Sequence, residues 1–143
     1  MTTTATSTAP STTRRSTSGA LDLRRPATLL RLDAALCALH GLPAVVAAPA
    51  VADALGPDVP TAAVLVVGVV LLGYAADLAL LSRSRWVRPA TLVAGIGSLT
   101  WEVAVLGLVV LGVFSTGGAV LALVSAFATG VLGVLQLRSV RTR

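Results

Sequence analysis

Lysine and asparagine are absent from this sequence, and cysteine, histidine, isoleucine, tyrosine and glutamate occur once each. A lone Cys37 rules out an intrachain disulfide and gives no reading of the redox compartment. With one His and one Cys, zinc ligation and the usual catalytic triads have almost nothing to draw on. No nucleophile elbow, phosphate loop, zinc-protease motif or dinucleotide fingerprint is present. These shortages argue against an enzyme and against a bound cofactor or metal. Lysine, asparagine and isoleucine, absent or nearly so, have AT-rich codons, which points to a GC-rich bacterial source.

Charge is scarce as well. Charged residues make up 12% of the chain, against roughly a quarter in soluble domains. Apolar residues make up 55%, and the mean hydropathy is +0.89. A soluble globule so poor in charge could not easily cover its surface, so a lipid-facing surface is the simpler reading. All eleven basic residues are Arg, and the net charge is +5. Such a balance can signal nucleic-acid binding, but the placement of these residues argues for topology instead.

Residues 1–20 are mostly Thr, Ser and Ala, interrupted by Arg14 and Arg15. This stretch has too little to bury to offset its ordering entropy, and a disordered cytoplasmic tail is expected over 1–25. Four apolar stretches follow, at about 27–54, 61–81, 90–114 and 118–137. Each is long enough to cross a hydrocarbon core of about 30 Å at about 1.5 Å per residue. Breakers separate them: Gly56, Pro57 and Pro60, then Pro89, then Thr116-Gly117-Gly118. No stretch alternates apolar with polar residues as barrel strands do.

The Arg residues orient the spans. Arg14, Arg15, Arg24, Arg25 and Arg31 precede or open the first, Arg83, Arg85 and Arg88 fill the second loop, and Arg138, Arg141 and Arg143 follow the fourth. The first loop region carries Asp53 and Asp58 instead, and the third loop carries no charge. All eleven Arg thus fall on one side, which places both termini in the cytoplasm of a bacterial inner-membrane protein. Trp86 among them reads as an interfacial anchor. A cleavable signal peptide ending in the small residues Ala47 to Ala54 is the competing reading and would leave three spans. Against it, Arg31, Asp33 and His40 interrupt the apolar region.

Membrane helices associate through small and polar residues, and each span carries such residues at helical spacing. The first offers Asp33, Cys37, His40, Gly41, Ala44 and Ala48; the second Gly73, Tyr74, Ala76 and Asp77; the third Thr91, Gly95, Ser98 and Glu102; the fourth Gly118, Ala122, Ser125, Thr129, Gly133 and Gln136. Pro43 and Pro49 are expected to kink the first helix and open space near His40. The short loops make sequential helices antiparallel neighbours.

Glu102 is the sharpest feature, a carboxyl about 18 Å into the third span at about 1.5 Å per residue. His40 lies at a matching depth in the first, and a His40–Glu102 hydrogen bond is expected across the bundle. Arg31 can snorkel, and an Arg31–Asp77 contact near the cytoplasmic boundary would staple two helix ends. Asp33 faces the His40 stripe. Trp101, away from either interface, is expected to pack as a wedge beside Glu102 or to roof a small cavity.

The stretch Leu29-Leu30-Arg31-Leu32-Asp33-Ala34-Ala35 with Gly41, the run Ser98-Leu99-Thr100-Trp101, and Leu135-Gln136-Leu137-Arg138 before a basic tail resemble small uncharacterised four-span membrane proteins common in actinobacteria. Asn is usual there where Ser98 stands, and Glu102 beside the Trp is a further departure. The resemblance implies the fold and brings no activity with it.

The sequence therefore reads as an all-α protein: an integral membrane four-helix antiparallel bundle over 26–137, with a disordered N-terminal tail and a basic cytoplasmic tail over 138–143. Its function reads as non-enzymatic, exercised through the lipid bilayer, a membrane-protein partner or a homo-oligomer, with no nucleic acid. The alternative is a small carrier or ligand-binding bundle built on an intramembrane polar site drawn from Glu102, His40, Asp33, Asp77, Arg31, Ser98 and Trp101.

Overall fold

A computed structural model describes Leu23 and residues 25–141. The disordered tail expected over 1–25 falls, apart from Leu23 and Arg25, outside the described residues. Those residues form helices α1 (Pro26–Val46), α2 (Ala48–Leu55), α3 (Thr61–Leu81), α4 (Val87–Val110) and α5 (Thr116–Arg141). Four of them, α1, α3, α4 and α5, are long and apolar enough to cross a membrane. The fold is all-helical, as the hydropathy pattern requires.

The first apolar stretch is two helices rather than one. Pro43 sits inside α1 and cannot donate to the ladder, and Pro49 would do the same six residues further on. The chain resolves this by breaking at Ala47 (φ −128°, ψ 38°) and placing Pro49 in the first turn of α2, where no donor is needed. Other boundaries also move. α4 begins at Val87, ahead of the expected start, because Pro89 is tolerated in a first turn. It ends at Val110, before Gly112, whose φ of 72° favours glycine. α5 runs to Arg141, so Arg138 and Arg141 form its last turn rather than a tail, where they also complement the helix dipole.

The helices pair as two hairpins. α1 packs most extensively on α3, and α4 on α5, whereas α3 and α4 scarcely touch although they are consecutive. Helix α1 also reaches α4 and α5 and so joins the hairpins. Arg31 Nε approaches Ser82 Oγ at 3.4 Å and Arg88 donates to the Val140 carbonyl at 3.2 Å, which brings the Arg-bearing ends together. At the opposite end the Ser115 amide donates to the Leu55 carbonyl at 2.8 Å.

Inside and outside differ in side-chain size more than in polarity. Buried positions are largely small, among them Ala34, Gly41, Ala44, Gly68, Ala94 and Gly133, while Val66, Val103, Leu111 and Phe127 face outward. Lipid is as apolar as a protein core, so helices gain by close backbone approach rather than by hiding Leu from it. In the first hairpin this occurs where Gly41 meets Gly68. A Cβ on Gly68 would lie 2.9 Å from Ala44 Cβ, and one on Gly41 would lie 3.0 Å from the Gly68 carbonyl. In the second, a Cβ on Gly133 would lie 3.1 Å from Ser98 Cβ. The expected packing face of α3 is thus corrected. Gly73, Ala76 and Asp77 point outward, and the buried face is Val64, Gly68, Ala75 and Leu78. The small-residue pattern of α3 offered two faces, and only the Gly68 face matches the Gly41–Ala44 ridge of α1.

This assignment gives a paired test. Gly68→Leu should overpack the crossing and destabilise the protein by about 1–3 kcal/mol or more. Gly73→Leu, where a Cβ meets nothing within 4 Å, should leave the melting temperature in detergent within a degree or two of the original, on the order expected for outward positions.

Candidate functional site

The buried polar groups gather along the line where α1 meets α5. Near the Arg-bearing end Gln136 Nε2 donates to Asp33 Oδ2 at 2.8 Å, and the Cys37 thiol approaches Asp33 Oδ1 at 3.8 Å. Asp33 is 1% exposed and Gln136 fully buried, and the other amide atom, Oε1, has no hydrogen-bond partner. Thr91, equally buried, satisfies its own hydroxyl on the Val87 carbonyl at 2.6 Å. Two turns along α1, His40 is half-buried. Its Nδ1 donates to the Leu36 carbonyl at 2.8 Å, which leaves Nε2 to accept from Ser125 Oγ at 2.9 Å.

The expected His40–Glu102 bond is therefore replaced. Both ring nitrogens of His40 are taken by Leu36 and Ser125, and Glu102 meets α5 at another point. Its carboxylate lies over Gly130, so close that a Cβ there would collide with it. Equal depth was a fair clue to proximity, but α5 stands beside both residues and takes each of them separately. Neither of the two flank grooves described below borders His40.

The remaining candidates scatter. Arg31 reaches Ser82 rather than Asp77, and Asp77 is exposed on the flank of α3. Ser98 is buried against Gly133 as part of the α4–α5 crossing. Trp101 is 43% exposed, a correction to its expected role as an interior wedge. It precedes Glu102 by one residue and is turned about 100° away round the helix, outward. Trp86, 58% exposed beside the Arg-rich turn, carries the Arg85 guanidinium 5.5 Å from its ring centroid, a cation–π contact at the position foreseen for an anchor.

Two shallow grooves mark the flanks. One, of about 320 Å³, lies between α3 and α4 and is lined by Tyr74, Asp77, Leu81, Trp86 and Val93 among others. The second, of about 330 Å³, runs along α4 and α5 from Glu102 past Phe127, Val131 and Val134 to Arg138. Among the described residues no group of three or more His, Cys, Asp or Glu side chains is placed to hold a metal.

Two residues of this arrangement escaped the sequence reading as site residues. Gln136 was visible as a polar position on α5. Its distance from the end of α5, five residues before Arg141, nearly matches that of Asp33, seven residues after Pro26, from the start of α1. Counting inward from the Arg-bearing ends would have paired them. Gly130 gave no such signal, because its role is to leave room for Glu102.

No protein-family model, no curated protein sequence and no solved structure matches this chain.

The Asp33–Gln136 contact predicts strong non-additivity. Gln136→Leu removes the amide donor from a buried carboxyl and should cost about 1–3 kcal/mol. Adding Asp33→Leu should recover most of that loss, because replacing both partners with apolar groups removes the unsatisfied atom. A double-mutant cycle of thermal unfolding in detergent measures both.

Proposed function

We propose that this protein is a multi-pass inner-membrane protein, both termini cytoplasmic, that works by lateral association within the bilayer and carries out no catalysis. The observation that carries this reading is the division among its intramembrane polar groups. Asp33, His40, Ser125 and Gln136 are spent on bonds between its own helices, and Cys37 on Asp33 within α1. Glu102 instead faces a groove that opens on the flank. A solute carrier needs polar groups converging on an interior site, and the His40–Glu102 pair that would have formed one is not made. A carboxyl presented sideways from the bundle suits recognition of something that itself lies in the membrane.

The orientation rests on the Arg residues. Arg25, Arg31, Arg83, Arg85, Arg88, Arg138 and Arg141 lie at one end of the bundle, and Asp53 and Asp58 at the other. Positive residues are retained on the cytoplasmic side. The resemblance to small four-span actinobacterial membrane proteins agrees with this placement.

Site-specific labelling tests the reading. In a Cys37→Ser background, a membrane-impermeant maleimide should label Pro57→Cys in intact cells and should label Ser84→Cys only after the membrane is opened. The reverse pattern would invert the topology, and labelling of both in intact cells would remove it.

A further inference from the structure

We propose that the groove between α3 and α4 is a site for an anionic phospholipid, with an acyl chain lying in the groove and the phosphate held at its mouth by Arg83 and Arg85. The inference goes beyond lateral association through the Glu102 flank. It needs only that the Arg-bearing end lies in a headgroup layer, whichever side of the membrane that is.

The groove exists because α1 lies beneath it. Leu30 and Ala34 of α1 pack against Leu78 of α3 and Ala94 of α4, and the two consecutive helices scarcely meet above them. The α4 wall is low at Pro89, Ala90 and Ala94, while α3 contributes Leu78 and Leu81. At the deep end Tyr74 reaches over from α3 to α4, where a Cβ on Gly97 would lie 3.8 Å from its hydroxyl. Tyr74 stands seven residues before Leu81, the last of α3, so the groove runs about 10 Å down from that end at about 1.5 Å per residue. The hydrocarbon of one leaflet is about 15 Å deep, half of the core. The groove spans most of that depth, and its walls are apolar but for Tyr74, Asp77 and the Trp86 indole, which suits a hydrocarbon chain.

The mouth supplies the charge. Trp86 lines it and is exposed, the placement of an aromatic at the headgroup level. The Arg85 guanidinium stands at the rim over that ring, and Arg83 is exposed in the same turn. Among the described residues neither is paired with a carboxylate. A guanidinium presents a fork of N–H donors that matches phosphate oxygens. Arg88, by contrast, is turned to the Val140 carbonyl on α5. Asp77 is the acid on the lining, four residues inside the end of α3 and about 6 Å below the Arg level at the same rise. A carboxyl there disfavours an anion within the groove. That fixes the polarity of the occupant, with its apolar part below and its negative group at the rim.

The test uses the full chain in nanodiscs of equal phosphatidylglycerol and phosphatidylcholine, with the lipid retained on release read by native mass spectrometry. The wild type should retain phosphatidylglycerol in preference to phosphatidylcholine. Arg83→Gln with Arg85→Gln should lower that preference by roughly thirtyfold, the attraction expected of two Arg at a headgroup layer. Arg138→Gln with Arg141→Gln removes the same charge from the end of α5 and should leave the preference little changed. Ala90→Leu keeps every Arg but fills the groove, so retention should fall. Val93→Phe, at an exposed lining position, repeats that block should Ala90→Leu not fold. Asp77→Asn should not weaken retention. Equal retention of the two lipids by the wild type would overturn the inference. So would equal losses in the two Arg pairs, or full retention by a filled groove, either of which would leave only diffuse surface charge. Loss of lipid in Asp77→Asn would overturn the anionic headgroup in favour of a cationic one. Selective retention together with an inverted labelling pattern would uphold this site while the orientation proposed above fails.

Discussion

The seam between α1 and α5 is what makes one bundle of two hairpins. Along it lie Gln136 with Asp33 and Ser125 with His40, and beyond it, where α2 continues the course of α1, the Ser115 amide before α5 donates to the Leu55 carbonyl. In water such a seam would be closed by apolar side chains. In lipid that drive is missing, since a Leu gains little by leaving hydrocarbon for a protein interior. A hydrogen bond between helices still contributes there, at about 0.6–2 kcal/mol. Three of them in register also fix rotation and depth, which apolar contact alone does not.

Within each hairpin a different device operates. Gly41 against Gly68, and Gly95 and Gly133 beside Ser98, bring backbones together and gain dispersion from close packing. The far loops use the same device once more. Gly118 lies so near Leu55 that a Cβ would collide with its backbone, and this allows the Ser115 amide to reach the Leu55 carbonyl. Tight crossings hold the hairpins, and polar bonds hold the hairpins to each other. The weak contact of α3 with α4 follows, since the turn between them supplies neither a glycine crossing nor a buried polar pair, and an apolar groove remains there.

The number of long apolar helices, their approximate extents and the gathering of Arg at one end were legible because hydropathy and charge are read residue by residue. Which face of a helix points inward was less so. On α1 the stripe of Asp33, Cys37, Gly41 and Ala44, continued by Ala48 in α2, is on the buried face. On α3 the Gly73–Asp77 cluster was a decoy: small residues at helical spacing occur on both sides, and only the partner decides between them. The same limit governed Glu102 and His40. Depth along a span is set by counting, but azimuth is set by neighbours, and α5 stands beside both. Trp101 illustrates the point from the other side, because bulk alone carries no information on whether lipid or protein receives it.

The position of Glu102 separates two roles that intramembrane polar residues often combine. Asp33 cannot be removed without exposing Gln136, and His40 is tied at both ring nitrogens, so each is part of the fold's own closure. Glu102 meets α5 over Gly130, whereas α4 and α5 also cross at Gly95, Ser98 and Gly133. A carboxyl at that depth in a span is costly, and the lateral association proposed above would offset that cost. Gly130 strengthens the argument, because a glycine in mid-helix costs roughly 1 kcal/mol relative to Ala, and here its only visible consequence is room for that carboxyl. Glu102 and Gly130 stand at facing positions, and the proposed lateral association draws on that pairing of an acid with the glycine that makes room for it.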